Sequence, residues 1–200
     1  VILPLTVIRR LDCVLEDTKD AVIARNEQLT GKVSSPDQAL QAVAGREFYN
    51  TSPLSFAHLA SDPSNVATNL REYLRTFSPG ARETLERFRF EEQITRLDES
   101  GLLYQVVGRF ADLDLHPDQV SNDDMGRIYE ELIRRFAEQS NETAGEHFTP
   151  REVIRLMVDL LFIEDDQMLR DPAVVRTLFD PACGTGGMLA VATDRLTELN

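Results

Sequence analysis

The sequence is short of most features that mark a secreted, membrane-borne or metal-dependent protein. It has two cysteines, Cys13 and Cys183, far apart and without metal-ligand spacing, so a reducing cytoplasm is the expected setting and no metal site is expected. No apolar run nears the roughly 18–20 residues that cross a bilayer, and no membrane association is expected. The greasy opening from Val1 to Ile8 is ended by Arg9, Arg10 and Asp12. It lacks the basic leader and small-residue cleavage site of a signal peptide. The chain starts at Val1 rather than Met, which suggests a natural start upstream. No internal repeat or low-complexity segment is present.

Basic residues are also scarce, 21 against 34 acidic ones, for a net charge of −13. On either side of Ser121 the balance is 13 basic to 18 acidic before and 8 to 16 after. Proteins that hold DNA unaided show a basic face, because phosphate neutralisation supplies most of the affinity. If this chain works on DNA, the grip comes from a partner, a region outside the chain, or a local patch hidden in the average.

What is there reads as a soluble globular protein, 42% hydrophobic and 28% charged, long enough for one ordinary domain or two small ones. Most of it reads as helix. Ile8, Leu11, Leu15 and Val22 lie at helical spacing within residues 1 to about 26, and the polar stretch Asn26 to Asp37 breaks the pattern. Asp62-Pro63 resembles a cap with proline in the first turn of a helix that carries Val66, Leu70, Leu74 and Phe77 on one face. Ser78-Pro79-Gly80 stops it. Two or three short helices are expected from there to Leu115, with Gly101 and Gly108 as weak points. After the break at His116-Pro117-Asp118, Asn122 is placed to cap a helix with Asp123 and Asp124 in its first turn. Met125, Ile128, Tyr129, Leu132, Ile133 and Phe136 form its apolar stripe, read as core packing. A polar loop, Ser140 to Phe148, leads to Thr149-Pro150-Arg151-Glu152, which reads as a capping box. Val153, Ile154, Met157, Leu160 and Leu161 would be the buried face of the helix that follows.

The last segment carries the chemistry. A short buried strand is expected over Val174 to Phe179. Asp180-Pro181-Ala182-Cys183-Gly184-Thr185-Gly186-Gly187 then turns tightly into a helix from Met188 to about Leu199. Glycines let backbone approach a ligand and tolerate positive φ, and the helix N-terminus offers free N–H groups to an anion. In open α/β sheets such turns lie where ligands bind. A P-loop would need Lys then Ser/Thr where Met188 and Leu189 stand, and a dinucleotide fingerprint would need glycine where Leu189 stands. Cys183 is read as a small buried filler rather than a nucleophile.

Asp180 to Leu189, preceded by Gly145-Glu146-His147-Phe148-Thr149-Pro150-Arg151-Glu152, resembles the paired S-adenosylmethionine motifs of N6-adenine DNA methyltransferases. The run Tyr129 to Ala137 resembles the segment preceding those motifs in type I modification subunits. Ile2-Leu3-Pro4-Leu5 with Arg9 to Leu15 is similar to the start of that subunit's helical domain. The resemblance implies a mostly α chain, with an N-terminal helical domain at 1–121. The beginning of a Rossmann-like α/β S-adenosylmethionine-dependent methyltransferase domain would follow at 122–200, its sheet truncated.

By position, the resemblance implies that Glu146, His147, Phe148, Thr149, Pro150 and Arg151 line the cofactor. It implies that Asp180, Gly184, Thr185, Gly186 and Gly187 cradle the cofactor's methionine end. Phe148 could cover an apolar or sulfonium-bearing face. His147 is either such a contact or a solvated loop residue, and Thr149 has a structural job as a cap. The implied partners are DNA, a sequence-reading specificity subunit and a restriction subunit. The family's catalytic Asn/Asp-Pro-Pro-aromatic tetrapeptide is missing: Asp-Pro occurs at Asp62, Asp171 and Asp180, never followed by a second proline. The expectation is a cofactor half-site without catalytic residues, cut after the first cofactor motif. One strand makes no sheet, so the last segment packs loosely or other chains complete it. Two other readings stay open: a helical docking module for a specificity subunit or DNA backbone, and a solitary adenine methyltransferase of a related defence system.

Overall fold

Arg9, Arg10 and Asp12, three charged residues in an otherwise apolar opening, decide how the first half of the chain closes. The computed structural model describes residues 2–139, 149–171, 177–183 and 186–199. The chain divides into two compact units, Val1–Val120 and Ser121–Asn200. Among the described residues every regular element is a helix, apart from an isolated antiparallel bridge between Asn50 and Phe77. None of these helices is long and apolar enough to cross a membrane.

The first unit holds α1 (Ile2–Leu15), α2 (Lys19–Leu29), α3 (Asp37–Ala44), α4 (Phe56–Ser61), α5 (Val66–Arg75), α6 (Pro79–Glu86), α7 (Phe90–Glu99) and α8 (Leu103–Ala111). Ile8, Leu40, Phe56, Leu70, Tyr73 and Val107 form the centre of its core. Asp12 is inside this core, only 6% exposed. One carboxylate oxygen accepts from Arg9 Nη1 at 2.9 Å and from the Phe56 backbone N–H at 3.1 Å. The other accepts from the Tyr73 hydroxyl at 2.8 Å and lies 3.8 Å from Lys19 Nζ. One side chain of α1 is thereby tied to α2, α4 and α5. Burial, then the Asp12 charge, pushes the Tyr73 hydroxyl well above the ordinary phenol range. Burial pulls the Lys19 ammonium down, with Asp12 opposing it.

The two arginines work outward from the same helix. Arg9 Nε donates to the Leu113 carbonyl at 2.8 Å, and Arg10 Nη1 to Val120 at 2.8 Å and to Leu115. They hold the chain beyond α8 by carbonyls no helix satisfies. A second polar knot surrounds Asn50. Its amide donates to the Tyr73 carbonyl at 3.0 Å, and its oxygen accepts from the Ser52 N–H at 2.7 Å and the Thr76 hydroxyl at 2.9 Å.

Several expectations about this unit are corrected. The opening helix is broken by a 3-10 turn at Glu16–Thr18, beyond which Lys19 turns inward, donating to the Leu54 carbonyl and lying 5.3 Å from the Tyr73 ring centre. Asn65, not Asp62, stands ahead of α5. Asp62 instead receives the Asn65 and Asn69 side-chain amides. Ser78-Pro79-Gly80 follows α5 but also begins α6, with Pro79 in the first turn, where its missing N–H costs nothing. Gly101 ends α7 with φ +68°, whereas Gly108 sits within α8 and breaks nothing.

The second unit holds α9 (Asn122–Gln139), α10 (Arg151–Phe162), α11 (Asp166–Leu169) and α12 (Gly187–Leu199). Ser121, rather than Asn122, caps α9: its hydroxyl accepts the Asp124 N–H at 3.1 Å and donates to the Asp124 carboxylate at 2.7 Å. Of the α9 stripe, Met125 is buried, Ile128 to Ile133 are half-buried and Phe136 is exposed. On α10 the buried pair is Ile154 and Val158, packed on Val191 and Ala192 of α12. Val153, Met157, Leu160 and Leu161, expected in the core, are exposed, because that stripe is rotated away from α12 by the helical period. Residues 174–176 of the expected strand lie outside the described residues. Over 177–179 the chain is irregular and Phe179 is 80% exposed, as fits a segment with no neighbouring strand among the described residues.

Replacing Asp12 with Ala is expected to destabilise the chain by about 3–5 kcal/mol, the cost of leaving buried partners of an ion pair uncompensated. Tyr73→Phe, which removes one bond to a charged group, is expected to cost about 1.5–3 kcal/mol. Urea unfolding of the two single variants and the double variant checks both. The pair must be non-additive, because they share one bond.

Candidate functional site

Thr149 and Pro150, both exposed, lead directly into α10. Pro150 is the N-cap: its carbonyl accepts from Val153 and Ile154 at 3.0 and 3.1 Å, and it provides no side-chain cap bond. The capping box expected from Thr149 therefore does not form, because the helix begins one residue later. Arg151, the first helical residue, is buried. Its Nε lies 3.2 Å from Glu130 Oε1 on α9. Its guanidinium also lies over Gly126, where an added methyl group would collide with Arg151 Nη2. Glycine inside a helix costs about 0.5–1 kcal/mol relative to alanine, and here the bare backbone makes room for the arginine. Burial raises the Glu130 carboxyl above its ordinary value, Arg127 opposes this and Glu152 adds to it.

The glycine-rich turn is described at both ends. Asp180 is half-buried and its Oδ1 accepts the Ala182 N–H at 2.9 Å, a local bond that shapes the turn. Cys183 is exposed, contrary to its expected role as buried filler, because Pro181 and Ala182 beside it are equally uncovered. The Gly186 N–H donates to the Cys183 carbonyl at 2.7 Å. Gly186 has φ +79°, and the space where a side chain would stand is open. At Gly187 an added Cβ would lie 3.0 Å from Ile154 Cδ1, so this glycine lets the start of α12 approach α10. Neighbouring glycines thus serve different needs, one conformational and one steric. Glu146, His147, Phe148, Gly184 and Thr185 lie outside the described residues.

Pro150 leads into the first turn of α10 at Arg151, and Gly187 lies against Ile154 of the same turn. Residues missed in the sequence are Gly126 and Glu130. The available signal was a glycine four positions before a glutamate, inside an otherwise strong helical pattern, which puts both on one face.

An arginine groove of about 220 Å³ lies in the first unit, bordered by Arg71, Arg75, Arg82 and Arg89 with Glu86 and Glu91. Arg71 is paired with Glu91 at 2.5 Å, and Arg75, Arg82 and Arg89 are exposed. Arg89 has φ +50°, the one non-glycine among the described residues in the left-handed region.

A helical unit followed by a glycine turn leading into a helix agrees with the class of N-6 DNA methylases, whose family model matches residues 120–200. The HsdM N-terminal domain model matches residues 1–110. The chain belongs to this family, the modification subunits of type I restriction-modification systems. It is 35% identical over 109 residues to the type I restriction enzyme EcoEI methylase subunit of Escherichia coli, covering 54% of this chain and 20% of that one. It is 30% identical over 91 residues to the MjaIX methylase subunit of Methanocaldococcus jannaschii, covering 46% of this chain and 14% of that one. To the EcoKI methylase subunit of Escherichia coli it is 35% identical over 78 residues, covering 39% and 13%. The matched stretches thus amount to a fifth or less of these relatives' lengths. No solved structure matches the chain.

Gly186→Ala is expected to destabilise the second unit by roughly 1–2 kcal/mol, the penalty for a side chain in the left-handed region. Thermal unfolding of the variant checks this. An unchanged midpoint would mean that the turn does not hold that conformation.

Proposed function

We propose that this chain carries the cofactor-entry half of an S-adenosylmethionine-dependent DNA adenine-N6 methyltransferase, working as the modification subunit of a type I complex. The observation that supports it best is the turn at Asp180–Gly187. It combines a carboxylate, a left-handed glycine beneath open space and the start of a thirteen-residue helix.

These residues suit a zwitterionic ligand. The Asp180 carboxylate is a partner for an ammonium group, and the N–H groups opening α12 are partners for a carboxylate. Gly184, Gly186 and Gly187 carry no Cβ to block close approach of a ligand to the backbone. By the family resemblance Glu146, His147, Phe148, Thr149 and Pro150 would line the cofactor's other side, Phe148 suiting the sulfonium or an apolar face, while Arg151, assigned to the same lining by position, is buried against α9. Bound S-adenosylmethionine supplies an activated methyl group. The adenine amine is a poor nucleophile that has to be taken out of the duplex and oriented, and no Asn/Asp-Pro-Pro-aromatic segment to do so occurs in these 200 residues. The target sequence is read by a specificity subunit, and a restriction subunit joins the same assembly. The acidic balance of the chain is consistent with DNA reading being delegated in this way.

A second reading is favoured by one feature. The Arg71–Arg75–Arg82–Arg89 groove is the local basic patch that the average charge conceals, and it suits a phosphate backbone. In that reading the first unit is a helical docking module for DNA. Arg89, held in a left-handed conformation that costs an ordinary residue roughly 1–2 kcal/mol, is a mark of functional strain.

Calorimetric titration with S-adenosylmethionine or its demethylated product is expected to show saturable binding, weakened by bulky residues at Gly184 and Gly186. Absence of binding would overturn the cofactor reading. The chain alone is expected to transfer no methyl group to adenine-containing DNA, checked with labelled cofactor. Joint replacement of Arg75, Arg82 and Arg89 by Gln is expected to weaken duplex binding and flatten its salt dependence in anisotropy titrations. Unchanged salt dependence would leave the docking reading without its support.

A further inference from the structure

The buried contact between α9 and α10 serves more than packing. We propose that Gly126 and Glu130 form a seat for Arg151, and that this seat positions the Thr149–Pro150 segment for the cofactor. Gly126, Glu130 and Arg151 would then be positioning residues, and the inference rests on the cofactor reading above.

Gly126 and Glu130 are four residues apart on α9 and therefore on one face. Glu130 supplies the charge that meets Arg151 Nε at 3.2 Å. Gly126 supplies the space, since a methyl group there would occupy the position of Nη2. The planar guanidinium is thus held at Nε by the carboxylate and at its Nη2 end by bare backbone, which fixes the first residue of α10 and, immediately before it, Pro150. The same helix carries Ile154, against which Gly187 brings the start of α12. A displacement of Arg151 therefore moves the Thr149–Pro150 segment directly, while the start of α12 stays seated against Ile154. Core burial of Ile154 and Val158 with Val191 and Ala192 does not involve the seat, so disturbing it leaves the α10–α12 packing in place.

The seat also predicts a pH response. The ion pair needs ionised Glu130. Facing that carboxyl are Arg127 on its own helix and Arg151 and Glu152 on α10. Burial, with Glu152 adding, holds its pKa above the ordinary value. The pairing is present above that pKa and is lost as pH falls through it, sooner than for a solvated glutamate.

The test is titration of the full 200-residue chain with the demethylated cofactor product, with melting temperature recorded for every variant. Gly126→Ala is expected to weaken binding at least tenfold, although alanine is the better helix former. Adding Arg151→Lys, which keeps the charge but lacks the atom that collides, is expected to restore part of the loss. Glu130→Gln is expected to bind weakly and to lose the fall in affinity that the parent shows on acidification. The proposal is overturned if Gly126→Ala binds like the parent, if the lysine rescue fails while both variants melt normally, or if Glu130→Gln keeps the parent's pH profile. A parent chain that binds no cofactor product would instead overturn the cofactor reading, and this inference with it.

Discussion

A carboxylate buried in a helical core is tolerable only when other groups satisfy it completely, and the first unit is built around that requirement. Asp12 takes bonds from Arg9, Tyr73 and the Phe56 backbone, with Lys19 close by. Arg9 and Lys19 are near neighbours in the chain, whereas Phe56 on α4 and Tyr73 on α5 are distant, 44 and 61 residues from Asp12. Hydrophobic contacts alone would allow the helices to slide and rotate over one another. Directed bonds to a single buried charge narrow those choices, since any alternative packing strands a charge.

In the second unit glycine plays the corresponding part. Gly126 makes room for a guanidinium, Gly186 takes a left-handed conformation and Gly187 admits a neighbouring helix. At Gly126 and Gly187 a Cβ would push apart groups that must meet, both of them on the first turn of α10, whereas Gly186 serves the turn by its backbone conformation alone. The exposed apolar side of α10 contrasts with this tight inner side: α12 covers only the stripe through Ile154 and Val158.

Charge shows how an average can mislead. A chain with a net charge of −13 still gathers exposed arginines along one groove of its first unit. Their spacing in sequence, from Arg71 to Arg89, gave no sign of this, since glutamates alternate with them. Packing of α5 to α7 gathers four arginines around the groove, with Glu86 and Glu91 among them. At short range the local arrangement of charge governs attraction more than the total does.

The family of the chain was legible from local pattern: the glycine turn after Asp180, the Phe148-Thr149-Pro150 segment and the Arg9 to Leu15 opening. So was the helical character of most segments, because a 3.6-residue apolar period needs no knowledge of neighbours. Cap positions were less so: Ser121, Asn65 and Pro150 each stand where a nearby residue was expected, and of the three only Ser121 caps through its side chain. The exposure of Cys183, Phe179 and the outer stripe of α10 could not be read, since an apolar residue does not state which element will cover it. The sequence by itself determined the family, the helical character of most segments and the residue types at the cofactor turn, all properties of neighbours along the chain. Only the tertiary structure decided that Asp12 organises a core, that arginines share a groove and that Arg151 rests on Gly126 and Glu130. Those depend on contacts between residues far apart in the chain.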